Sequence, residues 1–171
     1  MKFKCYDTCS LLKEAGHLFT SDDYTLVISS IVLEELEDIK TRANKDVDVK
    51  FAARKVMQEL DEHYGSYEIV MYNEKFMGPL LSIGLSESND TKIIACAVAF
   101  GDKHMDDEVI FVTNDLICRH IAKMFMPVEV VVEEDYDYDG YMELYLSDEE
   151  MNDFYSNPTE NIYNLHINQY L

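Results

Sequence analysis

Five short runs rich in β-branched and aromatic residues are spaced along the chain: FKCY (3–6), TLVIS (25–29), YEIVMY (67–72), VIFVT (109–113) and VEVVV (128–132). Between them the apolar residues recur at helical spacing instead of alternating, so strands are separated by helices. VIFVT has no polar face at all, which is the pattern of a strand covered on both sides. Strand–helix alternation of this kind predicts an α/β chain with a central parallel sheet, helical layers on both faces and right-handed crossovers. The helical stretches carry their own signals. Thr8 or Ser10 can cap SLLKEAGHLF (10–19), and Ser30 precedes IVLEELEDIKTR (31–42), in which Ile31, Leu33, Leu36 and Ile39 share a face. A third helix is predicted from Val47 to Tyr64, ended by Gly65 in a left-handed C-terminal position. A loop containing Gly78-Pro79 and Gly84 leads to Ser88-Asn89-Asp90, which can cap TKIIACAVAF (91–100), and LICRHIAKMF (116–125) follows Asn114-Asp115.

Beyond residue 132 the character changes. Seven of the twelve tyrosines lie from Tyr136 onward. YMELYL and IYNLHINQYL read as strands, Ser147–Glu150 as a capping box opening a short helix, and Asn157-Pro158 as a turn. The chain therefore divides into a domain over 1–132 and an acidic, tyrosine-rich α+β appendage or linker over 133–171. Of the net charge of −20, residues 124–171 supply −12 without a single Lys or Arg. That field repels phosphate backbones and excludes a general nucleic-acid-coating role, but not a nuclease whose acids are paired with metal ions. No apolar run approaches the length of a membrane span, and Asp7 interrupts any signal-peptide core, so a cytoplasmic protein is expected. Cys5, Cys9, Cys96 and Cys118 form no Cys-x-x-Cys pair and read as buried reduced thiols; the five histidines lack zinc-ligand spacing.

In an open parallel sheet, ligands bind beyond the carboxyl ends of the strands, where the strand order switches. Asp7 follows the first strand and Asp115 the fourth, Asp90 stands at a helix N-terminus that faces the same edge, and Glu35 lies about one turn into the second helix. Carboxylates crowded together raise one another's pKa unless a positive charge sits among them. Mg²⁺ or Mn²⁺, which take oxygen ligands, meet that need and support phosphodiester hydrolysis. The competing reading is that an Asp before a helix caps it and that a helix Glu faces water.

YDTCSLL around Asp7, VISSIVLEELEDIK around Glu35, SNDTKIIACAVAF around Asp90 and VIFVTNDLICRHIA around Asp115, in that order, resemble the four motifs of the PIN-domain nucleases. The resemblance implies a PIN-like three-layer α/β/α sandwich and a Mg²⁺- or Mn²⁺-dependent endoribonuclease acting on single-stranded RNA. It implies Asp7, Asp90 and Asp115 as metal ligands, Glu35 as a ligand or water-orienting acid, and Thr113 as a supporting hydroxyl. Which of Glu34 and Glu35 turns inward stays open. Val-Leu-Glu-Glu-Leu, Thr113-Asn114-Asp115 with Arg119 and Ala122, and Glu-Glu-Asp-Tyr after the last strand are similar to the PIN domain preceding the P-loop domain of PhoH-like ATPases. A PhoH-like ATPase domain following the C-terminus is thus a candidate partner, although the sequence itself has no P-loop motif. Cys9 and Ser29 depart from the family's usual Asn and Pro.

Candidate RNA contacts are Lys40, Arg42, Lys45, Lys50, Arg54 and Lys55, with Arg119 and Lys123 after the last acidic motif; a solvated helix face is the alternative. The tail admits three readings: a docking strip for a further domain, a structural extension, or an acidic competitor for the basic helices. A non-catalytic PIN-fold module for protein interaction or RNA guiding is the rival function, and self-association is open. A receiver-like phosphotransfer fold lacks its adjacent acids and its Lys.

Overall fold

The computed structural model describes residues 1–41 and 46–131. Five strands, β1 (Lys2–Tyr6), β2 (Thr25–Ser29), β3 (Tyr67–Val70), β4 (Glu108–Val112) and β5 (Val128–Glu129), form one sheet in the order β3-β2-β1-β4-β5. Every pairing is parallel, with Cys5 opposite Val27 on one side and Phe111 on the other. Six helices connect them: α1 (Thr8–Lys13), α2 (Ser30–Thr41), α3 (Val47–Glu62), α4 (Gly78–Ser82), α5 (Asn89–Lys103) and α6 (Leu116–Ala122). From β1 the chain moves outward through β2 to β3, then crosses back to β4 on the other side of β1. With right-handed crossovers that reversal puts α1–α3 on one face and α5 and α6 on the other, giving three layers. On the α5 face, Ile93, Cys96 and Ala97 line a small internal cavity together with Cys5, Val27 and Phe111; on the other layer Leu11, Val32, Leu36, Ala53 and Val56 are fully buried.

Several elements depart from their predicted bounds, and three of the departures have a local reason. α1 stops at Lys13 instead of continuing to Phe19 because Gly16 takes a left-handed φ of 96° and its N–H is captured by the buried Glu59 carboxylate at 2.7 Å. β5 ends at Glu129 instead of Val132: the Asn114 amide accepts from Val131 N (2.8 Å) and donates to Val131 O (3.1 Å), taking over from the strand ladder. β3 ends two residues early in the same way, with Tyr72 N donating to Ser30 Oγ at 3.0 Å. The predicted Gly78-Pro79 loop is largely helical. A 3₁₀ turn over Glu74–Met77 runs into α4, with Pro79 in its first turn, where its missing N–H costs nothing, and with Met77 and Leu80 buried. Gly65 adopts the expected left-handed conformation. Cys5, Cys96 and Cys118 are buried as expected, but Cys9 is exposed, because it falls on the outward side of the first turn of α1. Arg42, Lys45 and the whole appendage over 133–171 lie outside the described residues.

Candidate active site

The strand order reverses at β1, and both strands flanking the switch end in acids. Asp7 follows β1 and is 7% exposed; its Oδ1 accepts from Ser10 N at 2.7 Å and its Oδ2 accepts from the hydroxyl of Thr113. Thr113 follows β4, is fully buried, and accepts from Asp115 N at 3.1 Å, so one hydroxyl ties Asp7 to the α6 entry. Asp115 is exposed and caps α6 through Cys118 N at 2.7 Å, which is the chief reason its carboxyl is held below the usual range. The cap and ligand readings are therefore compatible: Asp7 and Asp115 each use one oxygen as a cap.

Glu35 is half-buried on α2, with Thr8 Oγ1 donating to one oxygen and Asn89 Nδ2 donating to the other at 2.8 Å. Glu34 is the exposed neighbour. Ser88, not Asp90, caps α5, through a capping box with Thr91, and this leaves the Asp90 carboxylate unspent in the first turn. Its pKa is raised, first by partial loss of solvent and then by the charges of Glu35, Asp115 and Asp7. The exposed Cys9 thiol is likewise pushed up by desolvation and by Asp7, Glu35, Asp90 and Asp115. Burial together with Asp90, Asp115 and Asp7 pushes Cys118 to about 12. Acids drawn from four separate segments thus share one electrostatic neighbourhood at the carboxyl edge of the sheet. Both thiols there stay protonated and unsuited to nucleophilic attack.

Among the described residues, no three His, Cys, Asp or Glu side chains are close enough to enclose an ion. The donor set nevertheless fits a hard divalent ion. It is all oxygen, it is electrostatically uncompensated at Asp90, and Mg²⁺ takes one or two carboxylates along with water and phosphate oxygens rather than a full protein cage. Three of the four carboxylates are anchored by neutral donors, Asp7 by Ser10 and Thr113, Glu35 by Thr8 and Asn89, and Asp115 by Cys118, while Asp90 is not.

Of the other predicted residues, Arg119 lies on α6 beside the acids. Its Nη2 donates to Asn114 O at 3.4 Å and its charge helps to hold Asp115 ionised. Lys123 is exposed one turn on. Lys40 pairs with Glu37 at 2.6 Å. Lys50, Arg54 and Lys55 are on α3, and Lys55 reaches the Gly16 turn, at the opposite end of α1 from Asp7. Thr8, Ser10 and Asn89 hydrogen-bond to the predicted site acids, a part the sequence did not single out for them. Ser10 Oγ accepts from Asn114 N at 2.9 Å, joining the β1 and β4 ends a second time. Their signal was a hydroxyl or amide one or three residues from a site acid, but the same residues serve equally well as helix caps.

Replacing Thr113 by Val removes a donor to the buried Asp7 carboxylate and an acceptor for Asp115 N. An unsatisfied buried polar group costs about 1–3 kcal/mol. Denaturant melts of Thr113→Val should show a loss of that order at neutral pH; an unchanged midpoint would mean that Asp7 does not depend on this hydroxyl.

A family model described as "PIN domain" matches residues 5–126. The curated relative Protein PhoH2 of Bacillus subtilis (strain 168) is 27% identical over 175 aligned positions, covering 90% of this chain but 39% of the relative. The chain thus spans well under half the length of that protein. Two solved structures are similar: VapBC2 from Rickettsia felis bound to a DNA fragment from their promoter (20% identity, TM-score 0.47, 76% of this chain and 98% of that one) and a domain of a functionally unknown protein from Methanocaldococcus jannaschii (21% identity, TM-score 0.49, 86% and 100%).

Proposed function

The chain belongs to the PIN-domain family, and from that premise we propose that it is a Mg²⁺- or Mn²⁺-dependent endoribonuclease that hydrolyses single-stranded RNA. The observation that carries this reading is the set of contacts linking four acid-bearing segments: Glu35 accepts from Thr8 beside Asp7 and from Asn89 beside Asp90, and the Thr113 hydroxyl joins Asp7 to Asp115 N. Mutually repelling carboxylates cost a structural scaffold stability, whereas a divalent ion makes their closeness favourable.

In this proposal Asp7, Asp90 and Asp115 hold the metal, with Glu35 as a further ligand or as the acid that orients water. The metal, when bound, supplies charge neutralisation at the scissile phosphate and a more acidic attacking water. The chain's own part is positional. Thr113 and Ser10 lock Asp7 between β1 and β4, and Thr8 and Asn89 hold Glu35 toward the crevice. Arg119 balances the charge of Asp115. No covalent intermediate is invoked, since Cys9 and Cys118 are held protonated. The similarity to PhoH2 makes a PhoH-like ATPase region a candidate partner for this domain.

The test is an end-labelled single-stranded RNA incubated with the full chain. Internal cleavage should appear with Mn²⁺ or Mg²⁺, vanish with EDTA and return with excess metal. RNA binding without metal-stimulated cleavage would instead favour a non-catalytic guiding module.

A further inference from the structure

α3 exposes two large apolar side chains on its first turns: Val47 is 78% exposed and Phe51 68%. At helical spacing Phe51 is flanked by Val47 on the turn before it and by Arg54 and Lys55 on the turn after, with Lys50 adjacent in the chain. Leaving a Phe in water forfeits the gain of burial, and the layer beneath is already filled by Ala53, Val56 and Leu60. The charge around it is also out of keeping with the chain. Residues 40–55 carry six cationic and two acidic side chains in a protein of net charge −20. An exposed aromatic ring set among cations is the arrangement that grips single-stranded nucleic acid, the ring stacking on a base while the cations follow the backbone.

Position supports the same occupant. α2 and α3 are consecutive, packed helices joined by residues 42–46. A connection that short makes them antiparallel neighbours. Glu35 lies six residues before the end of α2, about 9 Å along its axis, and Phe51 four residues into α3, about 6 Å along. Measured along the helix axes, Phe51 is therefore at nearly the same height on the α2–α3 pair as Glu35.

We propose that Phe51, with Arg54 and Lys50, is a base-stacking platform that holds single-stranded RNA alongside the acidic crevice. The inference rests on the ribonuclease reading for its choice of RNA and is tested apart from cleavage. Binding is measured with a single-stranded oligoribonucleotide carrying phosphorothioate linkages, to resist hydrolysis, and a 2-aminopurine reporter, with Mg²⁺ present. Phe51→Ala should weaken binding about tenfold or more and abolish the stacking quench. Phe51→Trp should retain both, and Phe51→Leu should lose the quench although it stays apolar.

Because Phe51 is exposed, all three variants should melt like wild type. Unchanged binding by Phe51→Ala, wild-type quenching by Phe51→Leu, or no binding by the wild-type chain would overturn the proposal. So would a shift only in sedimentation, which would mark the patch as a contact between copies. If these binding results hold but no metal yields cleavage, the platform stands and the ribonuclease reading fails. If RNA is cleaved but Phe51→Ala binds normally, the reverse is true.

Discussion

Asp90→Asn is expected to lower metal-stimulated RNA cleavage by roughly a hundredfold or more, since even groups that merely orient metal ligands cost 10–100-fold when removed. The same substitution should raise the melting temperature. Asp90 has a raised pKa, from partial desolvation and from Glu35, Asp115 and Asp7, so its ionised form is less welcome in the folded chain than in the unfolded one. The stability attached to such a group is fully present below the unfolded carboxylate pKa and is lost as pH rises through the folded value. At neutral pH the native carboxylate is therefore a liability, which Asn relieves. The gain is under about 1 kcal/mol, because Asp90 is open to water that screens the repulsion, so the rise stays below about 2–4 °C for a chain of this length.

Two further readouts separate this from a generic surface effect. The stability difference should shrink as pH is lowered and wild-type Asp90 takes up its proton. Asp115 behaves oppositely: its pKa is lowered by the Cys118 N–H, so its contribution is present above the unfolded value and lost on acidification. Mn²⁺ should also stabilise the wild-type chain, by about 2.7 kcal/mol at a hundred times the dissociation constant, and the variant much less. Calorimetry of both proteins with and without Mn²⁺ decides the matter. A variant that cleaves at the wild-type rate, or that gains as much from Mn²⁺, would remove Asp90 from the metal site.

Phe111→Ala should cost about 3–5 kcal/mol, the range for emptying a fully buried aromatic site. Against a typical stability of about 5–15 kcal/mol that is a large share, and a fall in melting temperature of roughly 10 °C is expected. The reason is topological as well as volumetric. Phe111 lies on β4 between β1 and β5, opposite Cys5 and Val128, and borders the same small internal cavity as Ile93, Cys96 and Ala97 of α5. Its backbone N–H also donates to Pro127 O at 2.9 Å. No neighbour can refill the space without disturbing the strand that presents Thr113 two residues later. Phe111→Leu should lose much less. Denaturant titration of the pair, beside the exposed Phe51→Ala, checks the claim; equal midpoints for Phe111→Ala and Phe51→Ala would refute it.

Strand identity was readable because β-branched runs such as TLVIS, predicted and observed over 25–29, leave a periodicity that no tertiary contact overrides. Strand ends were not. Val131 and Tyr72 keep strand-like composition, yet their backbone groups bond to the side chains of Asn114 and Ser30, partners 17 and 42 residues away in the chain. The helical turns at 74–82 were hidden by Gly78-Pro79, a pair that reads as a break until Pro79 is seen in a first turn with Met77 and Leu80 pointing inward.

The acids follow the same division. That Asp7 and Asp115 sit at strand ends, and that Asp90 opens a helix, is a matter of local order along the chain, and the sequence alone determined it. Whether Glu34 or Glu35 meets Thr8 and Asn89, whether Asp90 caps its helix or stays unspent, and that Cys9 lies open beside all four acids were decided only by the fold. A side chain's role there depends on which distant donor reaches it first: Asn89 for Glu35, Ser88 ahead of Asp90 for the cap, and Thr113 for Asp7. Hydrogen bonds between segments up to 106 residues apart leave no local periodicity to read.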